Sequence, residues 1–391
     1  MNQKPTTLTF LKDVLICSLG AFGGPEAHYG VFTQQMVLKK HYLSEEELLE
    51  LIALTQVLPG PSSTQTIIAI GHKIGGPWLG FLTLLVWALP IVSFMTLLSF
   101  MFEVLANNNI STEIVRYVGA MAVGFILIAA IKISKKVIKD KLTIGLLLLS
   151  AITTYFIRQA WIYPVLLIFG GSLSILTHHR KVIWNKITLV PPWIYLWLFL
   201  FFAIGNIIVA SVFAHPLLVL FEKFYRYGYL VIGGGQVVIP LMYSELVETF
   251  QYMSSQEFLV GYGFVQGMPG PMFSFTAFVG GLALRDQGTF IQTLGGFISA
   301  LGIFLPGTLL IYFIYPIWEQ VKKIDAIQVS LKGILAIAGG FIVIAAVILL
   351  QRIDLDIINL LVLVLTSLLL WNNKIPAPII VICVLLLGII V

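Results

Sequence analysis

The chain has 391 residues, of which 59% are hydrophobic and only 10% charged, against about 25% charged in an ordinary soluble domain. A water-soluble fold is excluded, because that much apolar surface cannot be hidden from water. The net charge of +5 would suggest nucleic acid in a soluble protein, but here Lys and Arg sit in short loops between apolar spans, the positive-inside pattern, and no nucleic-acid partner is expected.

The spans are apolar on every face, whereas a membrane β-barrel needs alternation over strands of about ten residues. The sequence therefore predicts an all-α, polytopic integral membrane protein with the bilayer as its main partner. In chain order, runs long enough to cross about 30 Å of hydrocarbon fall at 77–106, 113–131, 192–213, 289–315 and 327–350, with shorter runs at 7–23, 142–157, 161–177, 217–233, 355–371 and 376–391. Segments 47–73 and 257–284 are each interrupted by Pro-Gly-Pro, which removes amide donors, so each is expected to form two half-helices. Residues 1–24 lack a polar n-region followed by a small-residue cleavage site, so the N-terminus is expected to stay in the mature protein. Cys17 and Cys383 both lie in apolar segments, which predicts neither a disulfide framework nor a metal-thiolate site. No metal and no cofactor are expected.

A shift of 210 residues superimposes Gly23-Gly24 on Gly233-Gly234, Ser44 on Ser254, Glu47 on Glu257, Gln56 on Gln266 and Pro59-Gly60-Pro61 on Pro269-Gly270-Pro271 without a gap. A six-residue insertion then pairs Gly80 with Gly296 and Pro90 with Pro306. The chain reads as an internal duplication: a first transmembrane repeat at 1–190, a linking helix at 191–213 and a second repeat at 214–391. Lys132 to Lys141 and the basic run 178–186 belong in the cytoplasm. If each broken segment crosses the membrane once, the same side also receives Lys4, Lys12, Lys73, Lys322, Lys323 and Lys374, and the second repeat is inverted, as in secondary transporters. Crossing is the preferred reading over re-entrant hairpins.

A helix that starts in mid-membrane leaves backbone N–H groups unpaired at its positive end. After the first break these residues are Ser62, Ser63, Thr64 and Gln65, which could surround an oxyanion with neutral donors or cap the half-helix. After the second they are Met272, Phe273, Ser274 and Phe275, so the first repeat is expected to supply more of the polar contacts. Gln56 and Gln266 each precede a break by three residues and could donate to substrate or satisfy freed carbonyls. Gly60 and Gly270 allow the tight backbone of each break. Gly23-Gly24-Pro25 and Gly233-Gly234-Gly235, the latter followed by Gln236, permit close backbone approach to the broken helices or simple helix packing. His28 is the candidate for a group that changes charge near neutral pH, or an interfacial anchor. Ser44-x-x-Glu47 and Ser254-x-x-Glu257 read as capping boxes. The cations beside the breaks are Lys73 and Arg285, at the far ends of their half-helices.

At these motifs, Phe22-Gly23-Gly24-Pro25-Glu26-Ala27-His28, Gln56 to Pro61, Gly233 to Gln236 and Gln266 to Pro271, the sequence resembles the chromate ion transporter family in its long, two-repeat form. The resemblance spans nearly the whole chain. It implies a multi-pass protein of the cell membrane that exports chromate, recognised as a sulfate mimic. Ile232 and Met268 depart from the aromatic and the Leu expected there, both apolar exchanges.

An alternative class is a channel-like or lipid-handling scaffold without chromate specificity. An enzyme should show a nucleophile, metal cluster or paired acids within the membrane, and none is visible in the sequence. No P-loop occurs, so uphill transport must draw on an ion gradient or the membrane potential. A coupling proton or anion and a homodimer complete the partners considered.

Overall fold

The computed structural model describes residues 5–107, 111–178, 190–232, 235–354, 356–372 and 375–390. In the first half, α1 (Thr7–Gly20) is followed by α2 (Pro25–Phe32), which runs on into a π-helical stretch, Thr33–Lys39. Next come α3 (Glu45–Val57) and α4 (Ser62–Asn107), the latter bent at Gly75 and Gly76. Helices α5 (Val118–Val137), α6 (Lys141–Phe156) and α7 (Ile162–Leu176) complete this half. Helix α8 (Trp193–Phe213) buries none of its residues. The second half comprises α9 (Pro216–Leu230), α10 (Ile239–Tyr243) with π-helical Ser244–Thr249, α11 (Ser255–Gln266), α12 (Phe275–Ala283), α13 (Thr289–Ile314), α14 (Asp325–Leu350), α15 (Ile357–Trp371) and α16 (Ala377–Ile390).

Local chemistry places the helix starts. Ser44 and Glu47 exchange side-chain and backbone bonds of 2.8 and 3.1 Å, and Ser254 with Glu257 repeats this at 2.7 and 3.2 Å, so both are capping boxes. Asp140 and Asp356 cap α6 and α15. Five stretches among the described residues are long and apolar enough to cross a membrane: Ser62–Phe102, Val118–Val137, Trp193–Phe213, Thr289–Val321 and Asp325–Leu350.

The two halves repeat each other beyond the motifs. His41 and Gln251, 210 residues apart, both adopt positive φ, 51° and 50°. The π-helical stretches fall at matching positions. Later, at the 216-residue offset, packing is reciprocal. A methyl added to Gly124 would meet Thr366 and the Leu363 carbonyl, and one added to Gly340 would meet Ser150 and the Leu147 carbonyl. Each partner in one pair is the repeat mate of a partner in the other, as a pseudo-twofold arrangement requires.

The broken segments do not run on through the molecule; they fold back. Glu47, in the first turn of α3, is ion-paired with Lys73 at the far end of the 62–74 arm, and Thr55 bonds Thr66 at 2.8 Å beside the turn. Glu257 and Arg285 are paired in the same way across the second break. The expectation that each segment crosses once is therefore corrected: each is an antiparallel helical hairpin with Pro-Gly-Pro at its tip. Helix α1 is also half of a hairpin. Asp13 meets Gln35 at 2.8 Å and Tyr42 at 2.6 Å, and the rings of Phe10 and Tyr42 lie 5.5 Å apart, so the tip falls at Phe22 to Gly24.

Candidate functional site

Four hairpin tips meet and close a ring. The Gly270 amide donates to the Ala21 carbonyl at 2.8 Å, next to the Phe22–Pro269 bridge, which joins the first tip of one half to the second tip of the other. The reciprocal contact is the Gly60 amide donating to the Val231 carbonyl at 2.7 Å. Within the first half the ring closes through His28 Nδ1 and Ser63 Oγ, which share a 2.9 Å hydrogen bond. Within the second it closes where Gly235 sits against Met272 and Phe273, any added methyl meeting both side chains. Gly60 and Gly270 have φ of 127° and 95°, values that favour glycine strongly.

In the first half the lining is polar. The residue before α4 is Pro61, which has no side-chain acceptor for the first-turn amides of Ser62, Ser63 and Thr64. The hydroxyls of Ser63 and Thr64 reach across to other elements: Ser63 to His28, and Thr64 as acceptor from Trp87 Nε1 at 3.1 Å. Gln65 Nε2 donates to the carbonyls of Pro59 and Gly307, 2.9 and 3.0 Å away, which fixes the amide orientation because a flip would set oxygen against oxygen. Its Oε1 and His28 Nε2 are buried without a partner. His28 is also packed edge-on to Trp87, ring centres 5.4 Å apart. Gly23, at φ 89°, turns the chain, Gly24 caps α2 and Pro25 is its first residue.

The second half presents a different lining. Gln266 Nε2 and Gln236 Nε2 both approach Met272 sulfur, at 3.4 and 3.9 Å. Phe273 is buried, and Ser274 is buried with an unpartnered hydroxyl. Gln56, unlike its mate Gln266, is exposed and does not join the ring. Gly233 and Gly234 lie outside the described residues.

Several residues at or near the ring carried no motif. Trp87 is held by Ser18, whose hydroxyl donates to the Trp87 carbonyl at 2.7 Å, and Gly307 supplies an acceptor to Gln65. A hydrophobicity reading takes both for span residues. Helix α9 also carries cations deeper than those beside the breaks: Lys223 is buried under the ring of Phe250, and Arg226 binds Glu245 through two nitrogens at 2.9 and 3.1 Å. Inspection of ionisable residues within the apolar runs would have found them.

Duplicated halves, paired helical hairpins and a polar junction inside an apolar helical body define a multi-pass helical membrane protein with two homologous repeats. The sequence profile of the family described as chromate transporter matches residues 8–176 and again 218–389, so the chain belongs to the chromate transporter family. Over its full length it is 27% identical to a probable chromate transport protein of Synechococcus elongatus, covering 95% of that protein. It is 28% identical to a chromate transport protein of Cupriavidus metallidurans over 94% of this chain and 89% of the relative. An uncharacterised transporter of Methanocaldococcus jannaschii is 24% identical over 95% of this chain and 91% of its own. No solved structure matches the chain.

Proposed function

We propose that the protein exports chromate, or a related tetrahedral oxyanion such as sulfate, through the ring of hairpin tips, driven by an ion gradient or the membrane potential. The observation that carries this reading is the free first turn of α4 set beside buried His28, with no Lys or Arg side chain in the ring's hydrogen bonds among the described residues. Neutral donors and a helix terminus bind an anion and release it more readily than a buried fixed cation would. An inside-negative potential favours outward movement of an anion by roughly 2.3 kcal/mol per charge per 100 mV.

Inversion of the repeats follows in this reading from parity. Two hairpins return to the face they left; residues 77–107, α5, α6, α7 and α8 then cross five times, so α9 enters from the opposite face. Contacts support one assignment of faces. Lys322 with Glu50, Lys332 with Asp140 and Lys135 over Trp371 group on one side, and Arg158, Glu248 and Arg352 on the other. The lysine-rich face is cytoplasmic by the positive-inside rule, and the repeats are 1–190 and 214–391 with 191–213 between them. Flux of labelled chromate and sulfate in vesicles, with potential and pH gradients set independently, tests the function. Potential-driven chromate flux that sulfate inhibits is expected; flux indifferent to the anion's identity favours a channel-like scaffold. Single cysteines in Ser111→Cys and Lys139→Cys should label from opposite sides, and same-side labelling sinks this topology.

A further inference from the structure

On the arginine-bearing side an open cleft of about 620 Å³ is lined by Arg158, Gln159, Trp161, Arg226, Tyr229 and Glu245, among others. Leu230 also lines it, and the next residue, Val231, is the one that receives the Gly60 amide in the ring. One lining residue of the cleft is thus adjacent in sequence to the junction of the hairpin tips. Its donors are not all committed. Arg158 gives Nε to the Tyr155 carbonyl at 3.2 Å and Nη1 to Glu248 at 2.6 Å, while Nη2 is engaged by no described residue. Trp161 Nε1 donates to Gln159 Oε1 at 2.6 Å, which orients the Gln159 amide with its NH2 free to donate.

The first half shows that a hairpin of this kind needs no guanidinium here. The repeat mates of Arg226 and Tyr229 are Ile16 and Leu19, which are exposed apolar residues, 47% and 53% accessible. Arginine at this register is an addition to the second half, not a requirement of its fold, and a charge placed among apolar spans carries function more often than structure.

We infer that this cleft is a second, weaker binding site for the tetrahedral oxyanion, occupied between the ring and the face opposite the lysine-rich one. The inference rests on the transport reading given above. A guanidinium offers parallel N–H groups that match two oxygens of such an anion. Both arginines already hold carboxylates, Arg158 on Glu248 and Arg226 on Glu222 and Glu245. An arriving anion therefore competes with a resident carboxylate, which keeps its stay short and suits a site of release.

The test compares the two faces. The full chain is reconstituted in vesicles of each orientation, and the half-saturating chromate concentration is measured from either side for the parent, Arg158→Gln, Arg158→Lys and Gln159→Leu. In Arg158→Gln, Glu248 keeps Arg352 at 2.7 Å, and Gln159→Leu changes an exposed residue outside any ion pair. The ratio of arginine-face to lysine-face values is expected to rise roughly fivefold in Arg158→Gln, less in Arg158→Lys, and about twofold in Gln159→Leu, as for partly screened contacts. An unchanged ratio in both Arg158→Gln and Gln159→Leu overturns the cleft site. Absence of chromate flux in the parent overturns the transport reading instead.

Discussion

After Pro61 the chain continues Ser62-Ser63-Thr64-Gln65, and after Pro271 it continues Met272-Phe273-Ser274-Phe275. The backbones at the two breaks are near equivalents, with positive φ at both glycines and a tip-to-tip amide bond from each. The side chains are not. One terminus faces a histidine and an indole N–H; the other is filled by a methionine sulfur and phenyl rings. Duplication therefore delivers four tips and a symmetric junction, while divergence leaves polar contacts on one side and packing on the other. A pseudo-symmetric scaffold of this kind can rock between two states even where its polar contacts lie in a single half.

The largest test of this contrast is at the tip glycines. A methyl on Gly60 would lie 2.9 Å from the Gly307 Cα, a backbone atom, whereas one on Gly270 would lie 3.1 Å from an Ile91 side-chain carbon. Positive φ costs a β-branched residue on the order of 1–3 kcal/mol at either place, but only the Ile91 side can yield. Gly60→Val should reduce flux to background with membrane insertion retained, and Gly270→Val should leave a measurable fraction. Normal flux in Gly60→Val would show that the close backbone approach at this tip is not needed for transport.

Next in size are the hydroxyls. Ser63→Ala with Thr64→Ala should weaken chromate binding by at least tenfold, each hydrogen bond to a charged ligand being worth roughly 1.5 to 3 kcal/mol. The matching change in the other half, Phe273→Ala with Ser274→Ala, should alter affinity by less than about threefold, since it removes one hydroxyl and some packing. Equal losses in equilibrium binding would show that the two tips share the ligand.

The duplication, the capping boxes and the polar character of the first break were legible in the sequence because each is written in adjacent residues. Re-entry was not. A hydrophobicity count sees the length of an apolar run but not its reversal, and the decisive pairs, Glu47 with Lys73 and Asp13 with Gln35, join residues 26 and 22 positions apart. Two single crossings and two hairpins, at the first span and the first broken segment, have the same parity, so the face assigned to the later lysine loops does not change. Gln56 and Gln266 share a spacing but not an environment, because burial depends on neighbouring helices that a local motif does not encode. Lys223 and Arg226 were visible as letters but lay outside the segments flanking the breaks.

A smaller effect belongs to the hairpin bases. Lys73 with Glu47 and Arg285 with Glu257 close the open ends of the two broken hairpins. Both pairs are partly solvated, so each is worth no more than about 1 kcal/mol. Lys73→Gln and Arg285→Gln should each lower chromate affinity by about two- to threefold, less at high salt. Abolished binding in either variant, alongside normal binding in the hydroxyl pair, would replace the neutral-donor site by an ion-pair site.

The smallest expected difference separates two helix caps. Asp140 and Asp356 are repeat mates that cap α6 and α15, accepting from the Thr143 and Asn359 amides at 3.0 and 2.7 Å. Among the described residues only Asp140 also binds a cation, Lys332 of α14, which ties the two halves together. That ammonium first, and the Thr143 amide second, hold the Asp140 carboxyl down at about 2, from an ordinary 3.8. A folded-state value below the unfolded one means that the ionised form stabilises the fold. The contribution is fully present above the ordinary value and disappears as pH falls through about 2. Asparagine caps a helix about as well as aspartate, so Asp140→Asn removes the ion pair and keeps the cap, while Asp356→Asn keeps the cap and loses no ion pair with a described residue. Thermal melts in detergent at neutral pH should show Asp140→Asn less stable than Asp356→Asn by at most about 1 kcal/mol, because the pair is exposed and screened. The gap should close in high salt, and again as pH is lowered from 4 towards 2. Identical melts for the two variants at neutral pH and low salt would mean that this link between the halves carries no stability.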